Sequence, residues 1–260
     1  MTKPLALVTG GSAGIGLEIA RLLAENGNDL VIAGLGERVF QSAEELRALG
    51  VEVFPVQSDL STEEGNAAVL DALASTGRPL GIAVLNAGIA IGGAFIDISL
   101  ERHLKLIALN VISPVRLAHA LIPSMVANGG GKLLLVSSLS ATTPTPFETV
   151  YGPSKAFLSS FGHSVREELS GTGVQVTILH PGATATNFHA NAGMGNTGFG
   201  DNSWKNDPAV VARQGYDALI RGETSLVGGD EATQETCREN KRLPEEEKAR
   251  RHAQMARPRR

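Results

Sequence analysis

Short apolar runs alternate along this chain with longer stretches in which apolar residues recur every three to four positions. Leu5–Thr9, Asp29–Ala33, Val51–Gln57, Ile82–Leu85, Lys132–Ser137, Val174–His180 and Ser225–Val227 read as strands. Most are continuous apolar runs, the pattern of strands buried on both faces of a parallel sheet. Between them, Ile15, Ile19, Leu22 and Leu23 form one apolar helical face after Gly14. Ser61 with Glu64 reads as a capping box opening a helix through about Ala74. Ser99 is placed to cap a long helix that runs past Asn110, and Tyr151–Leu169 reads as another. Asp207-Pro208 supplies an N-cap followed by proline at the first helical position. The β-α-β-α order predicts an α/β fold, a doubly wound parallel sheet of about seven strands with helices on both faces.

No repeat and no long linker divides the chain. Residues 1–230 read as one domain and 231–260 as a charged, helical C-terminal extension. Within the domain, 183–206 is rich in Gly, Asn and Thr and has little periodicity. It follows the sixth strand, where loops at the strands' carboxyl ends form the site, and reads as a substrate lid rather than an ordinary surface loop.

Composition narrows the classes. Of 260 residues 42% are hydrophobic but only 4% aromatic, so the core rests on Ala, Val, Ile and Leu. The net charge of −4 does not suit a chain built to grip nucleic acid or an anionic membrane. The segment from Arg238 to Arg260 carries nine Lys/Arg and four Glu, which leaves the remainder strongly acidic. Its Pro244-Glu245-Glu246-Glu247 opening and Arg250-Arg251 suit a solvated helix with a frayed end, stabilised by Glu246–Arg250 and Glu247–Arg251 pairs. A single cysteine, Cys237, excludes an internal disulfide and a cysteine-only metal site. The six histidines show no metal-ligand spacing, so no metal is expected. Neither a leader nor an apolar run of roughly 18 residues is visible, and a cytoplasmic protein without a membrane partner is expected.

Three features carry chemistry. Thr9-Gly10-Gly11-Ser12-Ala13-Gly14-Ile15-Gly16 follows the first strand and opens the first helix. Gly10 permits the sharp exit, Gly14 allows backbone to approach a pyrophosphate, and Gly16 allows close packing. The helix N-terminus offers unpaired N–H groups to phosphates. Tyr151 and Lys155, at i and i+4, share a helix face. A free tyrosine has a pKa of about 10, and lowering it by about three units takes roughly 4 kcal/mol. One close ammonium and the positive ring of an oxidised nicotinamide could supply much of that. Ser138, at the end of the fifth strand, could bond a substrate carbonyl and hold it for Tyr151.

Taken together, the glycine turn, Leu85-Asn86-Ala87-Gly88, Asn110, Ser138, Tyr151/Lys155 and Pro181-Gly182 with Thr186 resemble the short-chain dehydrogenase/reductase family. The resemblance covers about residues 4–230 and implies a Rossmann-like, NAD(P)-dependent oxidoreductase interconverting a carbonyl compound and its alcohol. It implies that Tyr151 is the general acid and base, that Lys155 tunes it and holds the nicotinamide ribose, and that Ser138 orients the substrate oxygen. Asn110 would kink its helix and hold a relay water. Gly10, Ser12, Ala13, Gly14, Ile15 and Gly16 would cradle the pyrophosphate. Asn86, Ala87 and Gly88 would line the adenosine side, Asp59 and Leu60 would flank the adenine, and Pro181, Gly182, Thr184 and Thr186 would seat the nicotinamide. A homodimer or homotetramer acting on a small molecule is likewise implied. Gly152-Pro153 crowds the first turn of the catalytic helix, and a single Asn precedes Ala87-Gly88, both departures from the family pattern.

The second strand ends in Ala33-Gly34-Leu35-Gly36-Glu37-Arg38, with neither an acid nor an arginine at its tip. Arg38 could reach a 2′-phosphate, which favours NADP(H), while Glu37 could bond a ribose hydroxyl of NAD(H). Two rivals remain: a nicotinamide-sensing binding protein without turnover, and a cofactor-free dehalogenase. The latter would require Lys155 replaced and the glycine turn blocked. Pocket walls are expected from Ile89–Phe95, Ser140–Phe147 and the 183–206 loop. His180 reads as a structural strand-end residue, His189 as a surface-loop residue, and Arg116 and Arg166 as helix-surface residues.

Overall fold

In the computed structural model, which describes residues 3–259, all strands lie in one parallel sheet ordered β3-β2-β1-β4-β5-β6-β7. They are β1 (Leu5–Thr9), β2 (Asp29–Gly34), β3 (Val53–Gln57), β4 (Leu80–Leu85), β5 (Gly131–Val136), β6 (Val174–Pro181) and β7 (Ser225–Gly228). The connecting helices are α1 (Gly14–Glu25), α2 (Arg38–Arg47), α3 (Glu63–Ser75), α4 (Leu100–Ile107), α5 (Ser113–Ala127), α6 (Tyr151–Glu168), α7 (Phe188–Asn191) and α8 (Pro208–Arg221). Two more follow, α9 (Glu231–Asn240) and α10 (Glu245–Ala256).

Alternate residues of each strand feed two separate cores, as the two-residue period of a strand requires. Val8, Ile32, Val84 and Leu134 pack on one face against Ile19 of α1, Leu46 of α2 and Leu219 of α8. Leu7, Val31, Ala83 and Leu133 pack on the other against Val69 of α3, Leu121 of α5 and Leu158 of α6. Both β1 and β2 are buried along their whole length, which is why they read as unbroken apolar runs. Strand order reverses between β1 and β4, leaving a crevice beyond their carboxyl ends.

Local detail departs from the sequence reading in places. The cap of α3 is Thr62, whose hydroxyl accepts from the Gly65 N–H at 3.0 Å, not Ser61. Ser61 donates instead to Asp59 Oδ1 at 2.6 Å and is thereby occupied. Ser99 stands at the N-cap of α4 but makes no side-chain capping bond. Asp207 does cap α8, accepting from the Ala209 N–H at 2.7 Å. The helix passing Asn110 is α4 and α5 joined by a π-helical segment, Ala108–Ile112. Leu100–Ala127 spans 28 residues and contains an 18-residue window of mean hydropathy 1.5, enough by length and composition alone to cross a membrane although no uninterrupted apolar run spans it. Its apolarity has a local cause, since Leu106, Leu117, Leu121 and Met125 are buried in this fold.

The C-terminal extension is packed rather than frayed. Ala256 is 1% exposed, and Arg251 joins α10 to α9 through Glu239 at 2.8 Å while also pairing with Glu247 at 2.9 Å. Asn240 donates to Thr142 Oγ1, and the Arg259 N–H donates to Asn196 O, both at 2.9 Å. Among the described residues, no ion pair joins Glu246 to Arg250. Residues 183–206 contain α7 and a short 3-10 turn at Gly198–Gly200, and a bridge from Thr184 to Asn206 closes the base of the segment.

Candidate active site

The crevice is built from the tips of β1 and β4. Gly10 and Gly14 take φ values of +66° and +54°, which a side chain would strain. Gly16 packs against the turn, since a Cβ there would lie 2.3 Å from Gly10 O and 2.4 Å from Asn86 Nδ2. Asn86 braces the two strands by donating to Thr9 O at 3.0 Å, and the backbone N–H groups of Asn86 and Ala87 donate to Thr9 Oγ1. The N-cap of α1 is Ala13, which has no side chain to satisfy the first N–H groups of that helix. Those free donors, beside two left-handed glycines, fit a pyrophosphate.

The residues expected at the adenosine end give a mixed picture. Gly34 touches the Ser12 side chain closely enough that a Cβ would lie 2.8 Å from Ser12 Oγ. Glu37 and Arg38 are exposed at the start of α2, and among the described residues neither forms an ion pair. Asp59 is engaged by Lys105 at 2.9 Å and by Ser61. Burial opposes ionisation, but these bonds outweigh it and lower the Asp59 pKa. Leu60 is 5% exposed with its side chain in the second core, so that side chain is not free to flank an adenine.

Four polar groups converge near the tips of β4 and β5. Tyr151 opens α6 and Lys155 follows one turn later, both buried. Lys155 Nζ donates to Val136 O at 2.9 Å and lies 5.9 Å from the Tyr151 ring centroid. Ser137 Oγ donates to Lys155 O at 2.8 Å, tying α6 to the end of β5. Ser138 is buried, accepts from the Ser140 N–H at 3.1 Å, and lies beside the Tyr151 phenol. Asn110, in the π segment, donates to Ile89 O at 2.9 Å and to Ser154 Oγ at 3.1 Å, and accepts from the Ile89 N–H at 3.0 Å. Gly88 separates Asn110 from Lys155: a Cβ there would lie 3.1 Å from one and 3.2 Å from the other.

Electrostatics run against one expectation. Burial lowers Lys155 to about 8. Burial also pushes the Tyr151 phenol up, opposed by the Ser138 hydroxyl and reinforced by the negative charge of Glu148. The expected lowering of Tyr151 is therefore reversed in the protein alone. Lys155 is drawn toward Val136 O, and the formal charge that acts on the phenol is that of Glu148, which raises it further.

At the opposite end, Pro181 is buried, and a Cβ on Gly182 would lie 2.4 Å from Thr233 Cγ2. Thr184 turns inward, donating to Gly182 O at 2.8 Å. Thr186 accepts from the Phe188 N–H and sets its methyl group against Gly14, so the base of the 183–206 segment meets the glycine turn. His180 bonds Ser159 and Leu226 and is structural, as read from sequence. His189 is not a free surface residue: it stacks on Phe199 with centroids 5.0 Å apart and contacts Lys205 at 3.2 Å. Burial, then the charges of Lys205 and His252, push it down to about 4. Arg116 is a surface residue paired with Glu63, whereas Arg166 reaches across to Gly222 O at 3.0 Å.

Around Tyr151 lies an apolar cluster of Ala90, Ile91, Leu106, Ala192, Met194 and Ala256, edged by Phe147, Phe188 and Phe199. The contribution of α10 to this wall was missed, as was Glu148. Nothing in local periodicity marks either, since both depend on how distant segments pack. Phe147 takes φ +65°, the left-handed region that L side chains avoid, immediately before Glu148. Among the described residues, no group of three or more His, Cys, Asp or Glu is placed to hold a metal.

Comparison with known proteins gives a consistent picture. Residues 4–196 match the family model described as short chain dehydrogenase. A short chain dehydrogenase of Pseudocercospora fijiensis is 35% identical over 188 residues, covering 71% of this chain and 61% of that protein. The chain thus spans about three fifths of the length of the first curated relatives it matches. A short-chain dehydrogenase from Sphingobium yanoikuyae, solved in complex with NADPH, superimposes with a TM-score of 0.81 at 30% identity, covering 92% of this chain and 93% of that one. L-Sorbose reductase from Gluconobacter frateurii, complexed with NADPH and L-sorbose, superimposes with a TM-score of 0.77 at 26% identity, covering 88% and 97%.

Proposed function

The chain belongs to the short-chain dehydrogenase/reductase family of oxidoreductases, and on that footing we propose that it interconverts a carbonyl compound and its alcohol, with Tyr151 as the proton-transfer group. The observation that carries this reading is the convergence of buried Tyr151, Lys155, Ser138 and Asn110 beside the crevice at the strand reversal.

The glycine turn and the start of α1 hold the pyrophosphate, and Asn86, Ala87 and Gly88 form the adjoining wall. When bound, the nicotinamide supplies or accepts the hydride. Ser138 donates to the carbonyl oxygen and holds it against Tyr151. In reduction the Tyr151 hydroxyl gives its proton to that oxygen, and in oxidation the phenolate takes it back. A phenol is protonated at neutral pH, the form that reduction needs, and burial reinforces that state. Lys155 spends one of its three donors on Val136 O, leaving two for the ribose hydroxyls and the developing phenolate. Asn110 holds the Gly88–Ile89 backbone that spaces it from Lys155. Pro181, Gly182, Thr184 and Thr186 shape the nicotinamide end through their backbone.

A nicotinamide cofactor is supported by the neighbours solved with NADPH. We assign NADP(H) on the exposed guanidinium of Arg38, which forms no ion pair among the described residues, beside the open space at Gly36. Leu100, Leu104 and Ile112 form an exposed apolar stripe on α4 and the π segment, and Phe157 is exposed on α6. This surface supports a homo-oligomer, measurable by light scattering on the eluting protein. The test of the whole reading is thermal unfolding with NADPH and with NADH, since a ligand at a hundredfold excess over its Kd adds about 2.7 kcal/mol. A larger shift with NADPH is expected. No shift with either nucleotide would refute the dehydrogenase reading.

A further inference from the structure

Glu148 is 2% exposed and stands three residues before Tyr151. Its backbone is pinned on three sides. The N–H donates to Thr145 O at 2.9 Å, and the carbonyl accepts from Thr145 Oγ1 at 2.9 Å and from the Tyr151 N–H at 2.8 Å. The carboxylate is therefore launched from a rigid point beside the phenol. Oε2 is taken by His252 Nε2 at 3.1 Å. Oε1 is buried and has no hydrogen-bond partner. A buried, unpartnered carboxylate oxygen is costly, and native structures retain such groups where something else completes them.

His252 is itself held. Its side chain is 8% exposed, its ring lies 5.4 Å from that of Phe199, and it sits on α10, whose Ala256 closes the apolar cluster around Tyr151. Arg257 lies over the Phe147 ring at 5.4 Å. The C-terminal helix thus fixes one oxygen of Glu148 and leaves the other buried without a partner, next in sequence to Phe147 at the edge of that apolar cluster. One acceptor placed within an apolar wall is how a pocket selects a polar substituent.

We infer that Glu148 Oε1 is a specificity-determining acceptor for a second hydroxyl on the substrate, so that the enzyme acts on hydroxy ketones or hydroxy aldehydes rather than on simple carbonyl compounds. This rests on the carbonyl/alcohol activity proposed above. His252 is a positioning residue, holding Oε2 so that Oε1 faces one donor. A ketone lacking that hydroxyl leaves Oε1 unpaired and is discriminated against. No electron or proton beyond those of the proposed reaction is required, because the hydroxyl only donates a hydrogen bond.

The experiment compares isosteric pairs with NADPH: hydroxyacetone with 2-butanone, 4-hydroxy-2-butanone with 2-pentanone, and 5-hydroxy-2-pentanone with 2-hexanone. The three spacings cover the unknown distance between carbonyl and hydroxyl. The wild-type protein is expected to prefer the hydroxylated member of at least one pair by roughly 10- to 100-fold in kcat/KM, the range of one hydrogen bond to a charged group. Glu148→Leu should bring that ratio close to one, and Glu148→Gln, which keeps an acceptor oxygen, should retain part of it. If the leucine variant fails to fold, the wild-type and glutamine ratios decide alone. Reduction of the ketones with ratios near one in every pair, or a ratio unchanged in Glu148→Leu, overturns the assignment while leaving the carbonyl activity standing. No turnover of any member by a protein that binds NADPH overturns the carbonyl reading, and this inference with it.

Discussion

Lys155 Nζ lies 5.9 Å from the centroid of the Tyr151 ring and donates one of its protons to Val136 O. The pair shares a helix face because four residues make about one turn. The ammonium is thereby anchored to the sheet beside the phenol. Tyr151→Phe keeps the ring in its apolar surround and removes only the transferable proton. A fall in kcat of roughly 100- to 10,000-fold is expected, the usual contribution of a positioned acid or base. Nucleotide binding, followed by the thermal shift, should stay near the wild-type value. Retention of full turnover in that variant would remove Tyr151 from the mechanism.

The glycine turn makes a sharper structural prediction. A methyl group at Gly16 would meet backbone at Gly10 O, which has no side-chain freedom to yield. Gly16→Ala should therefore destabilise the protein by about 1–3 kcal/mol, as overpacking does, and weaken nucleotide binding. Gly36, two residues past the end of β2, has open space where a Cβ would stand. Gly36→Ala is the control, expected to leave the unfolding temperature nearly unchanged. Equal behaviour of the two variants in thermal denaturation would contradict the packing described for Gly16.

Arg38 is exposed and commits its charge to no acid among the described residues. Arg38→Ala should weaken NADPH binding by roughly 10- to 100-fold, the range for one charge-assisted hydrogen bond, with little change for NADH. Titration of both nucleotides by intrinsic fluorescence provides the comparison. Small, equal effects on both would transfer the cofactor choice to Glu37.

His189 sets a pH dependence with a definite sign. Its folded pKa is pushed down to about 4 by burial and by the charges of Lys205 and His252, whereas an unfolded histidine titrates near 6.5. Between those values the unfolded chain binds a proton that the folded protein does not. Stability is therefore lost as pH falls from about 6.5 toward 4, by up to about 3 kcal/mol from this group. His189→Asn should flatten that part of the acid limb in a series of denaturant unfolding curves. An acid limb as steep as that of the wild type would show that His189 is not held neutral.

What the chain settles by itself is what short-range periodicity controls. The interior strand segments are legible because each must be apolar on both faces to lie inside a parallel sheet, whereas the edge strands β3 and β7 are only partly buried. The glycine turn is legible because two of its positions need left-handed backbone, and the Tyr151/Lys155 face because helical spacing is local. Strand order is not local, and it is what brings Thr9 and Gly10 beside Asn86 across 76 and 77 residues of sequence. Packing decided the rest. It buried the Leu60 side chain, gave the cap of α3 to Thr62 once Asp59 had taken Ser61, and turned Thr184 onto its own backbone. It also raised Tyr151 rather than lowering it, because removal from water outweighs the opposing hydrogen bond of Ser138 and the charge of Glu148 adds to it. Glu148 and His252, 104 residues apart, carry no mutual signal in the sequence. Only the return of α10 across the site makes them neighbours, and burial then gives their contact its chemical meaning.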